Sequence, residues 1–370
     1  MKTLDVITND RRPTTDDLAD IFRGRPSYLG QRRLEVSVII PAYNAASTIA
    51  GCIKSVLAQS TSEKFEILVV DDGSTDDTAL IAMRYPKVRV LRQENAGASA
   101  ARNLGAREAR GWILCFIDAD CTATPHWMDS LAQAIRGGAD GAKGTLLTSQ
   151  PEAVARFTQI EYEDRYDRML ARPRIDFIDM GSAAYRRDVV LGIGEGGFDT
   201  SYPGASVEDQ EFSFRLAKLG CDLRFVPEAT VYHRHPTTLR AYVRRKFNIG
   251  RWKVMVHARH PERVISDSHT PPSLKAQLLL FWGLVVALLL SPVRPGAARL
   301  STWLLATFAA SGVLFVRKAM RKDYQIALIS PFMLLVRAAS LGAGLIVGGA
   351  YWVRGVGHRA KPQHPTHPTR

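Results

Sequence analysis

Beyond a polar opening stretch, the chain alternates short apolar runs with longer mixed segments. Four runs, 36–40 (Val-Ser-Val-Ile-Ile), 65–70 (Phe-Glu-Ile-Leu-Val-Val), 88–91 (Val-Arg-Val-Leu) and 112–117 (Trp-Ile-Leu-Cys-Phe-Ile), are rich in β-branched and aromatic residues and have lengths suited to buried strands. The segments between them, 47–59, 76–84 and 98–110, read as helices. Strand followed by helix, repeated, predicts an α/β class with a parallel sheet covered on both faces. Farther on, 212–219 reads as an amphipathic helix closed by Gly220, and 240–253 is basic. Three long apolar segments follow, 274–293, 300–316 and 325–353, and the first two approach the roughly 20 residues that span a hydrocarbon core. Pro331 and Arg337 interrupt the third, which leaves a tilted span, a re-entrant piece or an interfacial helix open.

This pattern divides the chain into a polar N-terminal extension (1–34), an α/β domain (35–240), a basic membrane-proximal region (241–273), two to three transmembrane helices (274–353) and a disordered basic tail (354–370). The net charge of +13 is unevenly spread: residues 271–370 hold twelve Lys and Arg against one acid, Asp323. Cations flanking apolar spans orient membrane proteins, and a nearly neutral globular part argues against nucleic acid as a partner. Cys52, Cys115, Cys121 and Cys221 form no CxxC pair and read as buried thiols in a reducing compartment. No signal peptide is recognisable, so the α/β domain is expected on the cytoplasmic side of the inner membrane. The basic 240–253 stretch and the cations at 317–322 favour the same side, which makes the first two spans a hairpin. A third crossing would bury Arg337 near mid-bilayer at about 2.5–3.5 kcal/mol. The surrounding apolar residues offset that, and the reading leans towards a crossing.

Ligands of open α/β sheets gather beyond the carboxyl ends of the strands. There stand Pro41-Ala-Tyr43-Asn44 and Asp71-Asp72-Gly-Ser-Thr-Asp76. Asp71 or Asp72 can accept from a pyrimidine N–H or a ribose hydroxyl, and Tyr43 can cover a ring; equally, Asp-Gly-Ser is a turn and Asp76 a helix cap. Asp118-Ala119-Asp120 follows the fourth run. Residues i and i+2 share a side, and two such carboxylates repel unless a cation joins them, which suits Mg²⁺ or Mn²⁺ shared with a diphosphate. Asn95-Ala-Gly97 opens a helix carrying Arg102, where Gly97 permits close approach and Arg102 can meet a phosphate. Glu208-Asp209 opens the helix before Gly220; Asp209 is a candidate general base, with first-turn capping as the alternative. His233 or His235 can complete a metal shell, and Arg251, beside Trp252, can contact phosphate, unless 240–253 simply lies on anionic lipid.

Taken together, Val38-Ile-Ile-Pro-Ala-Tyr-Asn44, Val69-Val-Asp-Asp-Gly-Ser74, Asn95-Ala-Gly97 through Asn103, Asp118-Ala-Asp120 and Glu208-Asp209 resemble the family 2 glycosyltransferases over residues 36–235. The resemblance implies a GT-A fold, with a donor half (35–125) and an acceptor half (126–240), and inversion by direct displacement. It matches Pro41, Tyr43, Asn44, Asp71, Asp72, Asn95, Gly97, Arg102, Asp118 and Ala119 to the donor, a UDP- or GDP-sugar. It matches Asp118 and Asp120 to Mg²⁺ or Mn²⁺, Asp209 with Glu208 to the catalytic base, and Gly181 and Ser182 to the donor-sugar and acceptor loop. The acceptor expected is a lipid-linked or membrane-proximal glycan. Processive members carry Gln-x-x-Arg-Trp where this chain has Asn248-Ile-Gly-Arg251-Trp252, which argues for addition of a single sugar. A nucleotidyltransferase would be expected to show a glycine-rich phosphate loop after the first strand, and a non-catalytic scaffold would have shed Asp120 or Asp209.

Overall fold

The computed structural model describes residues 34–192, 197–202 and 207–354. The polar extension before residue 34, residues 193–196 and 203–206, and the basic tail beyond Arg354 lie outside them. Strands β1 (Val36–Ala42), β2 (Phe65–Asp71), β3 (Val88–Arg92) and β4 (Ile113–Phe116) occupy the four apolar runs. They pair in parallel in the order β3-β2-β1-β4, with α1 (Ile49–Leu57), α2 (Thr78–Met83) and α3 (Ala98–Glu108) as crossovers. Val38, Ile39, Ile40, Val69, Leu114 and Phe116 are fully buried, as strands covered on both faces require.

The sheet does not stay parallel. β7 (Ala183–Arg186) runs antiparallel to β4, and the order continues β7-β6-β8-β5, with β5 (Thr122–Ala123), β6 (Gly141–Leu147) and β8 (Leu223–Tyr232). The result is an eight-stranded mixed sheet. Helices α4 (Trp127–Arg136), α5 (Ala153–Leu170), α6 (Arg187–Gly192) and α7 (Glu208–Lys218) complete this half.

After the sheet come α8 (Leu239–Arg259), α9 (Pro272–Leu290), α10 (Pro295–Lys322) and α11 (Tyr324–Val353). The last three are long and apolar enough to cross a membrane. Helices α9 and α10 form an antiparallel pair with large apolar side chains pointing outward: Leu279, Leu289, Trp303 and Leu314 are each more than 70% exposed. The end of α10 returns to α5 through Lys318–Asp167 and Lys322–Glu163, both 2.6 Å.

Helix α11 is different. Its first turn meets α5 through the Asp323–Arg156 ion pair. At its middle, Arg337 donates from Nη1 to Glu161 Oε1 of α5 (3.1 Å) and from Nη2 to Gln277 Oε1 (2.6 Å). Near its end Trp352 packs with Tyr202, Val207 and Met255. Between these points it lies on α8 with backbones nearly touching. A Cβ added at Gly344 or Gly348 would stand 2.1 or 2.2 Å from the carbonyl oxygens of Phe247 and Arg251, so only glycine permits this approach. Arg337 therefore does not face hydrocarbon alone, as the sequence pattern suggested. It is buried against a carboxylate of the mixed-sheet domain.

Candidate active site

The loops after β1 and β2 are stitched to each other. Asn44, in the left-handed region at φ 49°, donates its N–H to Ser74 Oγ (3.0 Å) and accepts from Thr75 N–H (2.9 Å). Asp71 is buried, accepts from Ser74 N–H (3.2 Å) and pairs with Arg92 (3.1 Å). Asp72 takes Ala96 N–H (2.9 Å) and the Gln93 amide (2.7 Å) on one oxygen and Gly97 N–H (2.9 Å) on the other, while Asn95 donates to the Asp72 carbonyl (3.1 Å). Gly97, at φ 90°, makes that turn possible. Both aspartates thus brace the loops at these strand ends, with Tyr43 exposed beside them.

Asp118 and Asp120 stand just past β4, with Ala119 buried between them. Arg102 projects from α3 and spans two elements: Nη2 donates to Asp118 Oδ1 (3.1 Å) and Nη1 to Glu208 Oε1 of α7 (2.8 Å). Burial opposes its charge, but Asp118 and Glu208 outweigh burial and hold it protonated. This guanidinium brings the start of α7, and so Asp209, to the acid pair at β4. Burial, reinforced by the charges of Glu208 and Asp179, pushes the Asp209 carboxyl well above the usual carboxylate range, with Arg102 acting in the opposite sense. A carboxylate so placed is a stronger base than a solvated one.

Asp120, Cys121 and His233 offer ligand atoms within 4.8 Å of one another. Burial, then Asp118 and Asp120, raise the Cys121 thiol, so it stays protonated and the candidate donors are carboxylate and imidazole. A relay sets the imidazole tautomer. Gln159 Nε2 donates to the Leu146 carbonyl (3.3 Å), so its Oε1 accepts from His235 Nε2–H (3.1 Å). His235 Nδ1 is then the acceptor for His233 Nδ1–H (3.2 Å). His233 Nε2 is left with a free lone pair 3.7 Å from Asp120 Oδ2. Burial lowers both rings, His235 to about 3, so both are neutral at pH 7. Such an oxygen and nitrogen set fits Mn²⁺ or Mg²⁺. His235 is therefore one step back from the position His233 occupies.

One cavity of about 450 Å³ joins these groups; Arg102, Asp118, Gly181, Glu208, Asp209 and His233 line it. Three expected contact residues fall elsewhere. Ser182 is fully buried, accepts from Trp127 Nε1 (2.9 Å) and donates to the Ala229 carbonyl (3.0 Å), so it secures the fold and faces no ligand. Arg251 and Trp252 are turned away as well. The helical period sends Ala241, Arg244, Arg245, Asn248, Ile249 and Lys253 to the cavity, whereas the Arg251 guanidinium stacks against Trp252 and Tyr351 of α11 at 5.1 and 4.6 Å. Sequence reasoning missed Gln159, Arg165 and Asp179. The i, i+3, i+4 spacing of 241, 244, 245 and 248 was the available signal for the α8 face.

Residues 37–193 match the model of the family described as Glycosyl transferase family 2. The glycosyltransferase AglE of Haloferax volcanii is 30% identical over 234 residues, covering 60% of this chain and 73% of that protein. A pre-mycofactocin glycosyltransferase of Mycobacterium tuberculosis is 26% identical over 291 residues, 75% of this chain; the match spans 57% of the mycobacterial protein. Among solved structures, a mannosyltransferase of Pyrobaculum calidifontis in complex with GDP-mannose and Mn²⁺ shares the fold, with a TM-score of 0.55 at 21% identity over 89% of this chain and 92% of that one.

Proposed function

The chain belongs to the family 2 glycosyltransferases with a GT-A fold, and on that premise we propose that it moves one sugar, with inversion, from a nucleoside diphosphate to a hydroxyl of a membrane-anchored acceptor. The observation that carries this reading is the convergence of Asp118, His233 and Asp209, which arrive from three separate elements, on one cavity. The donor base lies over Tyr43, its loops held by Asn44 and Asp72. Asp118, Asp120 and His233 would hold Mg²⁺ or Mn²⁺, which would supply positive charge to a departing diphosphate. Asp209 accepts the acceptor's hydroxyl proton as that oxygen bonds to the anomeric carbon and the sugar–diphosphate bond breaks. Arg102 holds Asp118 and Glu208 in fixed relation to it. Base catalysis of this kind contributes about 10²–10⁴-fold.

The α9–α10 pair crosses the membrane as a hairpin with the catalytic domain on the cytoplasmic side, and α11 lies against that domain. Three attachments of α11, at Arg156, Glu161 and the Tyr202 cluster, support this over a third crossing. Membranes incubated with a panel of radiolabelled UDP- and GDP-sugars, then extracted for lipid, test the reaction; full label transfer in excess chelator overturns the metal. Single cysteines at Pro295 and Val353 in a background without the native four test the topology. An impermeant thiol reagent applied outside should reach 295 and not 353.

A further inference from the structure

Away from Asp209 the cavity continues into a chamber of opposite charge. Its walls carry Arg165 of α5, Arg244, Lys246 and Lys253 of α8, and Arg337 of α11, while Arg245 of α8 lies close enough to the acidic end for its charge to act on Asp120 and His233. Some of these cations are already engaged. Lys246 (2.9 Å) and Arg337 (3.1 Å) share Glu161, and Arg245 donates to the Tyr162 hydroxyl (2.9 Å). Among the described residues, Arg165 meets only the Tyr162 ring, at 4.9 Å. Among the described residues, Arg165, Arg244 and Lys253 have no carboxylate within ion-pair distance; besides Asp118, Glu208 and Asp209, the cavity is lined by Glu161, Asp164 and Asp179, and Asp179 is already paired with Lys143 (2.7 Å). Burial pushes the Lys253 amine down to about 8, against the pull of Asp267. Leu274 of α9, half-buried, is the apolar rim beside the C-terminal helices, and Leu341 of α11 lines the cavity as a buried residue.

An acidic end, a cationic end and an apolar rim ask for one kind of molecule. Resting on the transferase reading above, we propose that the chamber holds the phosphate or diphosphate of a lipid acceptor, with the tail on the α9–α11 surface and the reacting hydroxyl at Asp209. Several separate cations suit a multiply charged tetrahedral anion better than a single carboxylate. The donor diphosphate belongs at the opposite end, with Asp118 and Asp120.

The test uses the full-length protein in phosphatidylcholine nanodiscs and equilibrium dialysis of radiolabelled farnesyl diphosphate. Farnesyl phosphate should compete, and farnesol and inorganic diphosphate should each compete at least about tenfold less well. The double variant Arg244→Gln/Lys253→Gln should bind the lipid about tenfold or more weakly, with affinity for GDP or UDP in Mn²⁺ within about twofold of wild type, which also reports an intact fold. Arg244→Lys should restore most of the lipid binding. Equal loss of nucleoside diphosphate binding would assign the cations to the donor and overturn the proposal. Equal competition by farnesol would leave only a tail site, and equal competition by inorganic diphosphate only a free-anion site; either outcome overturns it. A wild-type protein that bound lipid phosphate but no nucleoside diphosphate would strike the transferase reading instead.

Discussion

The two ends of the cavity are built differently. At the acidic end the functional groups sit at strand ends or in a first helical turn: Asp118 and Asp120 past β4, Asp209 in α7, His233 past β8. Each is held by short-range hydrogen bonds or by Arg102. At the cationic end the groups lie on the faces of α5, α8 and α11, held by helix packing and by the buried Glu161 cluster. Strand ends give positions that a local sequence motif specifies. Helix faces give positions that depend on which helices meet, and at what angle.

The sharpest way to test this contrast is Asp209→Asn. It should lower turnover by about 10²–10⁴-fold and leave the donor KM nearly unchanged, measured as initial rates over a donor series. Loss of donor affinity with turnover kept would move the base elsewhere and break the assignment of the acidic end.

Next in size is Glu161→Leu, which leaves Lys246 and Arg337 buried without their anion. Removing one member of such a cluster costs about 3–5 kcal/mol, to be read as a lower Tm of the detergent-solubilised protein. Burial alone would raise the Glu161 carboxyl, but Lys246 and Arg337 outweigh it and hold it at about 2, against 4.5 in the unfolded chain. Its contribution is therefore complete above pH 4.5 and lost as pH falls towards 2. A Tm unchanged by Glu161→Leu would mean that α11 is not anchored through this cluster.

Smaller again is Gln159→Leu. It frees the His235 ring and so the His233 tautomer, and should weaken Mn²⁺ binding by about 10–100-fold in an electron paramagnetic resonance titration, with nucleotide binding in the absence of metal unaffected. Unchanged Mn²⁺ affinity would show that the relay does not orient a ligand. The smallest effect is a shift in pH. A base must be unprotonated, and Asp209 is raised, so kcat should fall on the acid side through a pKa above the ordinary aspartate value of about 3.9. An inflection at the ordinary value would place the base in open solvent.

Much of the parallel half of the sheet was legible because its signals are local. Buried strands of a parallel sheet read as continuous apolar runs, and the acid pair follows the last of them within three residues. Tyr43, Asn44 and Gly97 were equally visible, although the roles of Asp71 and Asp72 in bracing the loops appeared only with their hydrogen bonds. The antiparallel half was harder to read. Strand β7 is four residues long, and α5 presents the run Glu-Tyr-Glu-Asp-Arg that gives no hint of a buried carboxylate.

The sequence by itself determined the class of the domain, the acid pair, the candidate base and the apolar helices, since each rests on residue type and spacing within one element. Tertiary structure alone decided which way α8 faces, and therefore that Arg244 and Lys253 reach the cavity while Arg251 does not. It also decided that Arg337 meets Glu161 across 176 residues of sequence. A charge in an apolar segment has the same one-dimensional signature whether its partner is lipid headgroup, water or a distant carboxylate. Only the packing of α11 on α5 and α8, made possible where Gly344 and Gly348 let two backbones touch, distinguishes them.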